Sequence, residues 1–445
     1  DLRMSRGLGD VYKRQVLTDC GFAKIGYSFK GWATENNGSV KYLNKATYIM
    51  GTESSYTLYA VWQINQYTIT LELNGGTASK NSITQDYNSV VDSPIATRSG
   101  YNFVEWYADS DFATVYNFST MPAENITVYA KWRLDTTYTS EIGIRNIQEL
   151  QAINEYLSGK FYLENDIDAN GFDFTPIGTY SAPFVGSFNE KNKEISNLKI
   201  TTDKGSSGLF GTCKGIVSNL SIINAHYKTV DATGGICGYS YNVIENCSWQ
   251  GIIEISGAQC GGIVGAGAAI IKQCSASGSI ISSNYSLSLV GGIAGVADII
   301  ENSYSNVQIS NIDCTNKTIT RYPEQKMGGL IAQKATSIVN SFVTKESKYL
   351  LYYFNGSDYY YESRTSSITR LSYEGSITNS FRISNASGEN IISPEDIKSR
   401  TIMTAKYGWF TDIWCFGYDY PVLYGNDYVK VNYSGIDGLN NDNNP

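Results

Sequence analysis

At 445 residues the chain is longer than one small core organises, so two or more domains are expected. Charged residues make up only 17%, against 35 Tyr and 42 Gly, a balance that suits a β-rich exported protein of the Gram-positive kind better than a cytosolic enzyme. The net charge of −8 argues against nucleic acid as a partner, because phosphate neutralisation needs clustered Lys and Arg. No apolar run reaches the roughly 18 residues of a membrane-spanning helix.

The opening "DLRMSRGLGDVYKRQ" shares nothing with the rest of the chain, and "DVYKRQ" back-translates to a sequence resembling the end of a transposase library adapter. Residues 1–15 therefore read as a translated scar, expected to pack on nothing. On that reading the chain is a fragment, and a missing leader or anchor carries no meaning.

Beyond residue 15 the chain carries two kinds of repeat. The first pairs "GYSFKGW" (26–32) with "YTLYAVW" (56–62), then "GYNFVEW" (100–106) with "ITVYAKW" (126–132). The Trp spacings of 74 and 70 residues set a unit of about seventy. In "YTITLELNGG", Tyr67, Ile69, Leu71 and Leu73 fall on one face of a half-buried strand, and "NGG" is turn chemistry that needs positive φ. The Trp pairs are expected in the core of a small sheet rather than on a sugar-stacking platform. These residues resemble the Listeria–Bacteroides repeat, the internalin B-type repeat of bacterial surface proteins. The resemblance implies a small β-grasp-like module acting as a spacer or interaction unit, complete over 66–133 and truncated over 16–65, where only its second half is kept.

From Thr139 the pattern changes. "NIQELQAINEYLSG" predicts a capping helix with Asn146 as N-cap, Glu149 completing a capping box, Ile147, Leu150, Ile153 and Leu157 at helical spacing, and Gly159 as its close. Then come "GLFG" (208–211), "GICG" (235–238), "GIVG" (262–265), "GIAG" (292–295) and "GLIA" (329–332), at 27, 27, 30 and 37 residues. A second column sets an aliphatic residue two before an amide: Ile195/Asn197, Val217/Asn219, Ile244/Asn246, Ile271/Gln273, Ile300/Asn302, Ile338/Asn340 and Ile377/Asn379. Twenty-seven residues hold three short strands and three bends, and one such unit cannot bury its apolar face alone. The consequence is stacked coils, with Ile columns as core, Asn amides bonding from coil to coil at left-handed corners, and Gly where a Cβ would clash. The whole is expected to be all-β: β-grasp-like repeat modules followed by a right-handed parallel β-helix with short capping helices. The lines also resemble the GLUG motif of bacterial surface β-helices. This places that domain at 134–428, with "IWCFGYDYPVL" (413–423) like its closing segment and 429–445 a polar tail.

Candidate chemistry is sparse. A Ser–His–Asp triad would need the single His226, which has no nucleophile elbow beside it, and no HExxH is present. The eight Cys form no CxxC; Cys247 and Cys274 share a column and are expected as buried free thiols. "DIDANG" (166–171) matches the start of a calcium loop, but its twelfth position is Ile177 where a Glu belongs. No cofactor, metal site or catalytic residue is assigned. After Asn302 the spacing grows to 38 and 39 residues, as though about ten residues leave the stack in each coil. The second excursion, "YLLYYFNGSDYYYESR" (349–364), offers Tyr352, Tyr353, Tyr359, Tyr360 and Tyr361 as binding residues, beside an insertion around 311–326. A hairpin packing its own Tyr ladder is the other reading. The composition and the two resemblances together imply a non-catalytic, adhesin-like protein, extracellular or on the cell surface and monomeric, whose partner is a host or matrix protein or a glycan. The alternatives are a carbohydrate-active β-helix enzyme, or the non-catalytic flank of a surface metalloprotease. The enzyme would need paired carboxylates, or Asp with Lys or Arg, on adjacent coils, and the equivalent columns are read as Gly, Ile, Asn, Cys and Ser.

Overall fold

A computed structural model describes residues 14–49, 57–189, 193–257, 259–283, 289–311, 326–333, 335–344, 348–354, 359–365, 376–378, 380–383, 391–407, 414–415 and 421–423. The chain divides into two compact units, Asp1–Asp135 and Thr136–Pro445.

In the first unit the complete copy is a four-stranded mixed sheet. Gln66–Glu72 sits between antiparallel Ser82–Asp86 and parallel Ile126–Leu134, and the latter pairs with antiparallel Tyr101–Tyr107. The predicted alternation holds: Ile69 and Leu71 are buried, with Tyr67 and Leu73 packed beside them. They join Val91, Ala96, Trp106, Met121, Val128 and Ala130 in one core. Both Trp rings of this copy are structural, Trp106 Nε1 donating to the Pro94 carbonyl at 3.1 Å and Trp132 Nε1 to that of Leu73 at 2.8 Å. Asn74 and Gly75 take the positive φ expected of the turn.

The truncated copy keeps the equivalent antiparallel pair, Tyr27–Ala33 with Tyr59–Ile64. Its second strand starts at Tyr59, the counterpart of Tyr129, whereas the complete copy's strand starts three residues earlier at Ile126. Those three residues are the ones that pair with Ile69, Thr70 and Leu71, and among the described residues no parallel strand lies beside Tyr59–Ile64. Residues 57–62 should therefore exchange their amide protons faster than 127–132. Equal protection in hydrogen-exchange mass spectrometry would refute this. The expectation that residues 1–15 pack on nothing is corrected at its end: Arg14–Val16 pairs antiparallel with Thr47–Ile49, so Arg14 and Gln15 join a strand of the repeat. Val11 and Tyr12 lie outside the described residues.

The second unit is a parallel solenoid. Its first wall runs through nine strands from Glu141–Ile144 to Ser376–Thr378, and its second from Ile167–Asp168 to Ile391–Ile392. A third, short wall runs from Thr233–Gly234 to Lys326–Gly328, and a fourth from Phe210–Cys213 to Ile331–Gln333. The four coils between Ile216 and Gln333 thus hold four strand segments each rather than three, because the glycine boxes split one side at a sharp corner.

On the first wall Phe161, Phe188, Val217, Ile244, Ile271, Ile300, Ile338 and Ile377 stand in register. All but the last are buried. The amides two places on from these aliphatics bend the chain at left-handed φ: Asn219 (55°), Asn246 (53°), Gln273 (48°), Asn302 (46°) and Asn340 (48°). Asn219 Nδ2 donates to Asn189 Oδ1 at 3.1 Å, Asn246 Nδ2 to Asn219 Oδ1 at 2.5 Å, and Asn340 Nδ2 to Asn302 Oδ1 at 3.2 Å. Asn379 lies outside the described residues. One member of the predicted column is misplaced: Ile195 pairs with Ile167 and Ile222 on the second wall, and the first-wall position belongs to Phe188.

Just past this corner a buried polar column runs through Cys247, Cys274, Ser303, Ser341 and Ser380. Each thiol or hydroxyl donates to the carbonyl two residues back, at 2.8–3.2 Å. The three serine oxygens accept from the backbone N–H of the coil before, at 3.0–3.1 Å. Cys247 and Cys274 are free and buried, as expected.

The ends are capped. Ile147–Ala152 is helical and a 3-10 turn at Ile153–Glu155 ends it, so Leu157 and Gly159 fall outside the helix the spacing predicts. Asn146 Oδ1 accepts from Glu149 N–H at 3.0 Å, while Glu149 Oε2 reaches past the N-cap to Arg145 N–H at 2.9 Å. At the other end, helices Pro394–Lys398 and Arg400–Tyr407 and the pair Trp414–Cys415/Val422–Leu423 supply Ile397, Met403, Trp414 and Leu423. These cover Tyr304, Phe342 and Ile392 of the stack.

Candidate functional site

Buried side chains fill the inside of the described coils, and polar and aromatic groups meet solvent on their outer faces. The hairpin Lys348–Phe354/Tyr359–Thr365 forms where the period fails, pairing Tyr352 with Tyr361, Tyr353 with Tyr360 and Phe354 with Tyr359. Among the described residues between Thr344 and Ser376, this antiparallel hairpin is the paired element. The side chains of Tyr352, Tyr353, Tyr359, Tyr360 and Tyr361 lie outside the described residues, as do residues 312–325.

The outer face of the first wall corrects a sequence expectation. Ser218, Glu245, Lys272 and Glu301 stand in register on successive coils, so a carboxylate–lysine–carboxylate column does exist. Lys272 Nζ lies 3.3 Å from Glu301 Oε2, which makes the column a cross-strand ionic ladder. On the second wall His226 Nε2 meets Glu254 Oε1 at 2.9 Å, both exposed.

The carboxylates of "DIDANG" are already engaged. Asp168 Oδ1 accepts from Asn197 Nδ2 at 2.8 Å and from Asn170 N–H at 3.0 Å, and these bonds hold its pKa below the usual range. Asp166 Oδ1 accepts from Glu194 N–H at 3.2 Å. The described residues contain no cluster of three His, Cys, Asp or Glu able to hold a metal. Burial pushes the Cys237, Cys247 and Cys260 thiols up, away from the reactive thiolate.

A tyrosine cluster that sequence reading missed lies on regular coils. Tyr239 belongs to Cys237–Ser240, between Thr212 on one coil and Ala266 on the next. Tyr241 comes two places later, its N–H donating to the Cys213 carbonyl at 3.0 Å, and the two rings lie 6.5 Å apart at 12°. Tyr180 sits on a tight turn closed by Thr179 N–H to the Ala182 carbonyl at 2.8 Å, and is 77% exposed; Tyr241 is 41% exposed. Tyr239 OH donates to Gln259 Oε1 at 3.2 Å, and Lys214 Nζ stands 5.8 Å from the Tyr241 ring centre. Partial burial, then the nearby Asp231, Tyr241 and Tyr180, raise the Tyr239 pKa.

Residues 11–61 and 67–131 match the profile of the Listeria–Bacteroides repeat domain, and these two segments are repeats of that type. Among curated proteins the chain is 34% identical over 134 residues to a protein of Evansella cellulosilytica provisionally named a Gly-rich membrane protein. That match covers 29% of this chain and 15% of the relative. It is 39% identical over 112 residues to Internalin H of Listeria monocytogenes, covering 24% and 20%. The chain thus spans a fifth or less of the length of these relatives. Among solved structures it is similar to one provisionally named an immunoglobulin A1 protease from Bacteroides ovatus (TM-score 0.41, 20% identity, 65% of this chain and 93% of that one). It is also similar to a structure titled IgA1 Protease (TM-score 0.38, 17% identity, 69% and 27%). The solenoid itself is evident from strand register alone. Among the described residues no helix is long and apolar enough to cross a membrane.

Proposed function

We propose that the chain is a non-catalytic, adhesin-like segment of an extracellular bacterial surface protein. The repeats act as a spacer and the β-helix displays interaction surfaces to a host or matrix protein or a glycan. One observation carries the reading: buried columns such as Phe188–Val217–Ile244–Ile271–Ile300–Ile338 fill the coils, leaving substrate no room inside them. What remains is a rigid rod with relief on its outside, where the hairpin interrupts the period. The repeats it shares with surface proteins such as the internalins support the same placement.

Screening the whole chain against host-matrix proteins and glycans should find a ligand whose binding falls when Tyr359 and Tyr361 both become Ala. Undiminished binding would move the site away from the hairpin. The enzyme alternative would use Glu245, Lys272 and Glu301. Cleavage of a polysaccharide panel that disappears in Glu245→Gln/Glu301→Gln would replace the display reading with that one.

A further inference from the structure

We propose a second site, independent of the hairpin: Tyr180, Tyr239 and Tyr241 form a platform for a neutral pyranose ring of a glycan. Three features of the corner point to this chemistry.

The first is relief. The Tyr239 column holds Thr212 on one side and Ala266 on the other, and by the same register Tyr241 is followed by Ala268. Two large rings therefore rise above the small side chains of the following coil, with Lys214 of the preceding coil beside Tyr241. Tyr180, held out on its turn, stands on the same wall two coils earlier, since Ile177 bridges Phe210 and Phe184 bridges Cys213, which pair in turn with Cys237 and Ser240. The faces of these rings carry negative quadrupole charge, which attracts the C–H-bearing face of a sugar. Tyrosine also loses little conformational entropy on binding.

The second is the set of polar groups beside the rings: the Gln259 amide, the Asp231 carboxylate and the Lys214 ammonium. An amide, a carboxylate and an ammonium together can donate to and accept from vicinal hydroxyls. One charge of each sign gives no preference for a strongly anionic or cationic ligand.

The third is what the corner does not offer. Cys237–Ser240 is hydrogen-bonded on both edges, to Phe210–Cys213 and to Val264–Ala266. An extended peptide adding itself as a strand finds no free edge there, so strand addition is closed and ring stacking is left.

The test is a multivalent glycan array probed with the whole chain, followed by calorimetry on the best neutral oligosaccharide. Tyr180→Ala/Tyr241→Ala should weaken binding about tenfold or more, whereas Tyr241→Trp should retain it. Because Tyr180 and Tyr241 are exposed, the double variant should melt with the parent. Binding should also survive Tyr359→Ala/Tyr361→Ala, which separates this site from the hairpin. The proposal falls if no neutral glycan binds, if only acidic glycans bind, or if binding ignores the change at Tyr180 and Tyr241. It falls too if a neutral glycan is lost with the hairpin variant alone, and the display reading would then stand without this site.

Discussion

Replacing Ile271 by Asp should cost about 4 kcal/mol or more of stability at neutral pH. Ile271 is fully buried between Ile244 of the preceding coil and Ile300 of the following one. A carboxylate there exchanges water for two aliphatic neighbours and gains no partner. Shape alone is a small part of the effect, since Ile271→Val should cost only about 1 kcal/mol. The charge gives the loss a signature in pH. Burial raises the folded-state pKa of the new Asp above its unfolded value, so the penalty is least below the unfolded pKa near 4 and grows as pH rises toward the folded one. The melting temperature of the variant should therefore recover toward the parent's in acid, after correction for the parent's own pH dependence. Because each coil rests on its neighbours, the transition should also broaden or split as the stack separates at the damaged coil. An unchanged melting temperature at pH 7 would mean that Ile271 is not in the core.

Gly265→Ala should cost about 2–3 kcal/mol although it adds a single methyl group. A Cβ at Gly265 would stand 2.6 Å from both the Gly238 carbonyl oxygen and the Thr233 nitrogen. Both atoms are backbone of the coil before, so neither can turn aside, and the two coils must separate. Gly238 and Gly295 are confined in the same way. The fifth box ends in Ala332, buried against the preceding coil at Ala294–Val296, and nothing in the structure explains why a Cβ is accommodated there. Equal melting temperatures for the Gly265→Ala variant and the parent would mean that the box glycines are not set by coil-to-coil approach.

Much of the fold is legible in the sequence because stacking converts sequence period into space. The aliphatic column, the left-handed amides and the buried thiols each recur at 27-residue steps where the coils are regular. Sequence and structure disagree where period and space part. Ile195 has the right local pattern, but it lies 22 residues before Val217 and belongs to another wall. The capping helix ends at Ala152, because a turn at Ile153–Glu155 redirects the chain before Leu157. The charged column escapes notice although Ser218, Glu245, Lys272 and Glu301 each come one place after a core residue. Counting core positions alone hides what faces outward. The tyrosine platform leaves no periodic signal: Tyr239 and Tyr241 occur in one repeat only, and Tyr180 arrives from a turn two coils earlier. A single-coil departure from consensus is the available clue, two aromatics where the next coil has Ala266 and Ala268.

The central claim is that each repeat makes one coil, so that outward columns and interruptions of the period carry the function. Nitroxide labels on Ser218→Cys and Glu301→Cys test it most directly, in a chain whose buried thiols stay unlabelled and whose other reactive Cys are replaced by Ser. The two positions lie on one outward column with Glu245 and Lys272 between them, three coil steps apart. Their backbone separation should be about 14 Å, from steps of roughly 4.8 Å, although 83 residues of chain separate them. Strong dipolar broadening that disappears in each singly labelled control is the predicted result. Doubly labelled spectra that equal the sum of the two controls would contradict the coil assignment and the display surface built on it.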